Sequence, residues 1–241
     1  MVNIGGSMNT KAIVESFDKA PAGSYDEKNK KLAPISENLH FLSGLVLKEL
    51  PANARVLCVG TGTGAEILSL ARIYPNWTFD GIDPSERMLE DCKKRIESEG
   101  LLSRCRLFRG YLSEFNTAEK YDAVLCILVM HFIQDPGERA KMYHDMADHL
   151  KTGGVLINAE ISYDLNSSKF PDMIEKWKLI QMLMGATKES LDQLPNILRN
   201  QLAVLPPSKT EELIEKAGFS SAVQFFQSFL IHAWYARKTA P

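Results

Sequence analysis

The sequence predicts an α/β fold: a central, mostly parallel, seven-stranded sheet with helices on its faces and an antiparallel hairpin at its C-terminal end. Three observations predict it. Short apolar runs alternate with helical patterns from Arg55 to Ile161, as they do in parallel sheets buried on both faces. A glycine turn, Gly60-Thr61-Gly62-Thr63-Gly64, joins the first strand to the helix after it. Two strand-like runs, about Ala222 to Phe229 and Ile231 to Arg237, then follow one another with no helix between them.

The bulk numbers fit one large domain: 241 residues, 45% hydrophobic and 24% charged. A formal net charge of -2 gives no overall field for nucleic acid or an anionic membrane. No apolar run is long enough to span a bilayer, and no signal peptide is expected before the fold. Met1 to Ser7 read as an expression remnant, with Met8 the natural start. Cys58, Cys92, Cys105 and Cys126 form no C-x-x-C pair and read as small buried hydrophobes in a reducing cytoplasm.

Residues 1–33 are polar and punctuated by Pro21 and Gly23, the pattern of a terminal arm. From Pro34 to Leu50, Ile35, Leu39, Leu42, Leu45, Val46 and Leu50 recur at helical spacing. Arg55 to Val59 is a buried strand, and a helix from Ala65 follows the glycine turn. Glycines let a ligand approach bare backbone, and the helix start offers unpaired N–H groups. A second strand ends at Asp83, roughly 20 residues past the glycines, the spacing at which a carboxylate takes ribose hydroxyls. Pro84-Ser85-Glu86 opens the next helix, with Met88, Leu89, Cys92 and Ile96 inward. Arg104 to Arg109 and Tyr121 to Leu128 are the third and fourth strands. Asp135-Pro136 caps a helix to Leu150 with a charged outer face, and Thr152-Gly153-Gly154 turns into a fifth strand, Val155 to Ile161. Residues 163–206 break the alternation: two or three helices, interrupted at Gly185 and Pro195 and rich in methionine, read as an inserted lid or a packing pair. A last helix, Lys209 to Ala217, precedes the hairpin.

The spacing G-x-G-x-G, rather than the dinucleotide G-x-G-x-x-G, together with Leu150-Lys-Thr-Gly-Gly-Val-Leu-Ile, resembles the class I S-adenosylmethionine (SAM) methyltransferases. The resemblance covers roughly residues 34–237 as one domain with a Rossmann-like sheet. It implies SAM as cofactor, with Gly60, Thr61, Gly62 and Gly64 at the amino-acid end and Asp83 on the ribose. Pro84, Met88, Tyr111 and Leu112 then stand near the adenine, and Ile127 and Leu128 beside the methyl-bearing sulfur. It also implies an arm, Phe17-Asp18 and Tyr25-Asp26, folded over the cofactor, with Tyr25 on the SAM carboxylate. Tyr111 stands where many relatives carry an Asp, and Cys58 where many carry the Asp that braces the loop. Glu66 is then a candidate for the amine end of the ligand.

The sequence therefore leads to SAM-dependent methyl transfer onto a small molecule, a metabolite or natural-product intermediate. His131, Tyr25 and Tyr163 are the acid–base candidates, and His131, Glu160, Tyr163, Trp177 and Arg199 the substrate candidates. The histidines and acids show no ligand spacing, so no metal is expected. Within the family, the lid and the ending Ala-Gly-Phe…Phe-Phe-Gln-Ser-Phe look like the carboxy-SAM synthase group. That group makes carboxy-SAM for tRNA wobble-uridine modification from SAM and prephenate, and it forms homodimers. Its lid arginine falls near Pro195 here, one turn before Arg199, which favours ordinary SAM. A nicotinamide oxidoreductase and a non-catalytic SAM-binding module are the rival classes.

Overall fold

The computed structural model describes residues 10–240 except Ala20 and Ala22; the expectation for Met1 to Ser7 lies outside the described residues. Seven strands form one sheet in the order β3-β2-β1-β4-β5-β7-β6. They are β1 (Arg55–Val59), β2 (Thr78–Asp83), β3 (Cys105–Arg109), β4 (Tyr121–Ile127), β5 (Leu150–Ile161), β6 (Val223–Ser228) and β7 (Ile231–Arg237). β1 to β5 are parallel, and β7 runs antiparallel to both β5 and β6. This is the predicted α/β architecture. The strand order reverses between β1 and β4, and a ligand crevice opens outside the carboxyl ends at such a switch point.

Alternate residues of β1 enter different cores. Leu57 and Val59 pack with Tyr143 and Met146 of α6 (Pro136–His149) and Ile214 of α9 (Pro207–Lys216). Val56 and Cys58 pack with Ile67 and Leu70 of α4 (Ala65–Ile73) and Cys92 and Ile96 of α5 (Glu86–Ser98). Burial on both faces is why the sequence of β1 is an unbroken apolar run. A third cluster joins Leu39 of α3 (Ala33–Val46) and Ile231 and Ala233 of β7 to the inserted helices α7 (Phe170–Leu183) and α8 (Lys188–Asn200).

Local chemistry sets the helix ends. Ser85 caps α5, its hydroxyl accepting from the Met88 N–H at 3.2 Å. Asp135 caps α6 through the Glu138 N–H at 2.8 Å.

The structure departs from the sequence expectation in several places. The polar arm is helical, as α1 (Thr10–Asp18) and α2 (Ser24–Lys30). Thr152-Gly153-Gly154 does not precede the fifth strand but lies inside it, where the register against β4 shifts between Tyr121 and Ala123. Gly185 follows α7 with a φ of 88°, but Pro195 sits within α8 rather than breaking it. α6 is not charged only outward: Arg139 is 2% exposed.

Candidate functional site

The glycine loop leaves β1 and is held from three sides. The Ile82 carbonyl of β2 accepts from the Gly60 and Thr61 N–H groups at 2.8 and 2.9 Å. Asp83, at the end of β2, accepts from the Gly62 N–H at 2.8 Å and from the Ser85 N–H at 2.9 Å. Thr63 donates its hydroxyl to Asp26 of α2 at 2.7 Å, and Arg95 of α5 donates to the Thr63 carbonyl at 3.0 Å and hydroxyl at 2.8 Å. The acid missing at Cys58 is thus replaced by contacts from other elements. Cys58 itself is fully buried, and burial pushes its thiol well up.

The three glycines serve different ends. A Cβ at Gly60 would meet Val129 Cγ2 at 2.3 Å, and one at Gly64 would meet Cys92 Sγ at 2.6 Å. Gly62, with φ +52°, has nothing within 4 Å of that position and borders open space. The Thr61 side chain and the carboxylates of Asp83 and Glu66 are buried around the same loop, with the Thr61 hydroxyl toward Glu66. Burial raises the carboxyl of Asp83, against the two N–H groups that lower it. Burial lifts Glu66 to about 7, with its own N–H and the nearby Thr61 hydroxyl acting the other way. These groups fit a ligand with hydroxyls and positive charge, as SAM has. A pyrophosphate would meet two carboxylates here.

The arm lies across the loop. Ser85 donates its hydroxyl to Asp18 at 2.6 Å, the Gly23 N–H donates to Asp91 at 3.2 Å, and Phe17 meets Tyr25 and Phe132 edge-on. Tyr25 is 38% exposed, yet its phenol is among protein groups and beside Glu66, Asp26 and Asp83. Burial first, then those carboxylates, raise its pKa, and Asn29 opposes them.

The adenine candidates lie around Asp83. Pro84 is half-buried, and Met88 is 5% exposed in the packed face of α5. Tyr111 is exposed; burial, Glu114 and Asp83 raise its hydroxyl. Leu112 is buried. Ile127 ends β4, and Leu128 follows with φ 60°, its N–H donating to the Ala159 carbonyl at 2.6 Å. A left-handed leucine is a strained backbone at the sheet's ligand edge.

The substrate candidates are not brought together. His131 is 3% exposed, its Nδ1 3.4 Å from the Ile161 N–H, and burial with Arg139 nearby lowers its pKa to about 3. A buried imidazole of that basicity is a poor proton acceptor at neutral pH, which counts against the base role expected from the sequence. Glu160 is no free carboxylate either. It is fully buried, paired with Arg139, and accepts from Thr210 Oγ1 at 2.5 Å. Burial raises its pKa against the pull of Arg139. Trp177 is 4% exposed and belongs to the core of α7. Tyr163 and Arg199 do meet, in an open cleft of about 390 Å³ with Asp164, Asn166 and Val204. No residue of the glycine loop lines that cleft. Arg199 donates to the Leu165 carbonyl at 2.6 Å and lies over the Phe170 ring.

Arg95, Asp26 and Arg139 were not singled out as site residues in the sequence. Asp26 stood next to Tyr25 and could have been paired with it. Nothing local marks Arg95 or Arg139, because their partners are 30 to 70 positions away in most cases. Among the described residues no group of three or more His, Cys, Asp or Glu could hold a metal, and no helix is long and apolar enough to cross a membrane.

Comparison with known proteins agrees with this geometry. Residues 56–154 match the family model for a methyltransferase domain. The chain is similar to the carboxy-S-adenosyl-L-methionine synthase of Campylobacter fetus, 26% identical over 212 residues, covering 88% of this chain and 89% of that one. The protein of the same name from Desulfotalea psychrophila is 26% identical over 234 residues, 95% of this chain and 91% of its own. Among solved structures, magnesium protoporphyrin IX methyltransferase from Synechocystis, with bound SAH, superposes with TM-score 0.69 at 14% identity, over 96% of this chain and 100% of that one. An O-methyltransferase family protein from Burkholderia thailandensis gives TM-score 0.61 at 17% identity over 84% of this chain, which spans only 57% of that longer protein.

Proposed function

We infer that this chain, a SAM-dependent transferase with the class I methyltransferase fold, works in the manner of the carboxy-SAM synthases, taking SAM and a small carboxylic acid such as prephenate. One observation carries this reading: the likeness to those synthases runs over nearly nine tenths of both chains, so it includes more than the shared sheet. It reverses the order of preference drawn from the sequence, which put methyl transfer to a small molecule first.

SAM supplies a sulfonium whose attached methyl is activated for one-carbon chemistry. In this reading Asp83 holds the ribose hydroxyls, and Thr61, Gly62 and the start of α4 hold the amino-acid tail. Tyr111 and Leu112 flank the adenine, and Ile127 and Leu128 form a dry wall at the sulfur. Residues 34–237 act as one domain, with 163–206 as lid and the arm as cover, positioning reactants and excluding water. The exposed Leu179, Met182 and Leu183 on α7 suit a homodimer, and the expected setting is the cytoplasm.

Methyl transfer to a small acceptor is the second reading, and the position of Arg199 favours it. A carboxylated sulfonium wants a bidentate guanidinium, and Arg199 is instead held at the outer cleft by Leu165 and Phe170. Mass spectrometry of the ligand that copurifies, and of SAM incubated with the protein and prephenate, decides between them. A product one carboxyl group heavier than SAM is expected. Unchanged SAM in that mixture, with label passing from methyl-labelled SAM to another small molecule, would overturn the first reading in favour of the second.

A further inference from the structure

We propose that Arg139 is a positioning residue: through Glu160 and two main-chain carbonyls it fixes the inserted segment 163–206 against the wall of the cofactor site, and so sets where the second reactant meets the sulfonium. The inference rests on the reading of the site as a SAM site with a small-molecule co-substrate.

The contacts gather at one buried point. Arg139 of α6 is 2% exposed, and Glu160 of β5 is fully buried. One guanidinium nitrogen, Nη1, donates to the Met130 carbonyl at 2.8 Å and to the Ala203 carbonyl at 2.9 Å. The other, Nη2, pairs with Glu160, whose second oxygen accepts from Thr210 Oγ1. Met130 belongs to the turn after β4, and Ala203 to the chain returning from α8. Further bonds run alongside. The Ala203 N–H donates to the His131 carbonyl at 2.8 Å, the Tyr163 N–H to the Leu205 carbonyl at 2.9 Å, and Ser162 Oγ to that same carbonyl at 2.7 Å. Both ends of the inserted segment are thereby tied to the carboxyl ends of β4 and β5, and one guanidinium holds the turn and the returning chain together.

Each tied piece carries a surface that the reaction needs. On the turn's side, Ile127, Leu128 and Val129 are half-buried, and Val129 presses on the glycine loop: a Cβ at Gly60 would lie 2.3 Å from its Cγ2. On the segment's side, Tyr163, Val204 and Pro206 line the open cleft. A shift of Ala203 relative to Met130 therefore moves that cleft relative to the apolar wall, and a misplacement of about 1 Å between reactants can cost roughly a hundredfold in rate. Stability alone is a weak reason for the pair. A buried ion pair exchanged for apolar side chains of similar size commonly costs little, and its best-attested use is to fix one arrangement of packed elements. A planar guanidinium suits that use, because it holds several acceptors in fixed directions.

The test separates positioning from stability. Arg139→Met with Glu160→Leu removes the directed bonds without stranding a charge, and Ile96→Val, in the core on the opposite face of the sheet, is the control for stability lost elsewhere. Amide hydrogen exchange should rise roughly tenfold or more over residues 129–133 and 203–205 in the double variant, and stay at the wild-type level there in Ile96→Val. Affinity for S-adenosylhomocysteine in calorimetry should stay close to that of wild-type protein, while kcat/KM for prephenate at saturating SAM falls at least roughly tenfold. Arg139→Lys keeps the charge beside Glu160 but has no fork for two carbonyls, so it should show the same local rise in exchange, and it carries the test if the double variant does not fold. Exchange no faster than in the control, or an S-adenosylhomocysteine affinity that falls as far as kcat/KM, would overturn the positioning role. Wild-type protein that binds S-adenosylhomocysteine yet consumes no prephenate would overturn the carboxy-SAM reading alone, and the exchange comparison then decides the role of Arg139 by itself.

Discussion

Asp83 does two things at the residue scale. Its oxygens hold Gly62 and Ser85, and in the proposed reading the same carboxylate takes the ribose hydroxyls. Each hydrogen bond to a charged group contributes about 1.5–3 kcal/mol, so Asp83→Ala should weaken SAM by at least roughly tenfold in calorimetry. Unchanged affinity would remove the ribose role. Glu66 gives a stability prediction of definite sign. Its folded pKa is raised from 4.5 to about 7, so the folded chain keeps a proton that the unfolded chain loses. Its contribution is fully present below about pH 4.5 and is lost as the pH rises through 7, a change of roughly 3 kcal/mol. Glu66→Gln should be free of this loss. Urea denaturation should therefore show the variant gaining on wild-type protein between pH 5 and 8; a constant gap between the two curves would refute it. Glu66 and Asp83 were legible in the sequence because each adjoins a strand end or a helix start. His131 and Glu160 misled because a titratable residue at the ligand edge of the sheet has the same sequence pattern whether its side chain turns toward the crevice or into the core.

At the scale of elements, Arg139 joins four of them. From α6 it donates to the Met130 carbonyl at 2.8 Å and to the Ala203 carbonyl at 2.9 Å, beyond the end of α8, and it pairs with Glu160 of β5. Glu160 in turn accepts from Thr210 of α9. The His131 carbonyl accepts from the Ala203 N–H at 2.8 Å, so the chain returning from α8 is fastened to the turn after β4. Removing one partner of such a pair leaves a buried charge. Arg139→Met should cost about 3–5 kcal/mol of stability, and Arg139→Met with Glu160→Leu markedly less. Chemical denaturation of the three proteins checks this, and equal losses for single and double variants would show that the pair is not coupled. The strands and most helices were legible because apolar runs and caps are local signals. The Arg139–Glu160 pair was not, since each residue alone reads as a surface charge on an amphipathic element. The continuation of β5 through Thr152-Gly153-Gly154 and the run of α8 through Pro195 were also hidden, because tertiary packing overrode residues that usually mark an element's end.

Over the whole molecule, the arm and the inserted segment 163–206 approach the carboxyl edge of one sheet from opposite directions along the chain. They meet at the turn after β4: Phe17 of α1 touches Phe132 there, and Ala203 of the inserted segment bonds to His131. The arm also supplies Asp26 to the loop, Asp18 to the start of α5 and Tyr25 beside Glu66 and Asp83. None of these groups belongs to the two cores that pack against β1. Deleting residues 1–31 should therefore leave a cooperatively folding domain whose sheet is intact but whose loop has lost Asp26 and whose site has lost Tyr25. A ligand at a hundred times its Kd stabilises a protein by about 2.7 kcal/mol, which for a chain of this size is roughly 5–10 °C in Tm. Full-length protein should show such a shift with SAM and none with NAD. The deletion variant should keep one sharp unfolding transition and lose most of the SAM shift at the same concentration. A variant that still gains the full shift would show that the arm rests on the site without taking part in binding. A variant without a cooperative transition would show that the arm is part of the folding unit rather than a cover on it.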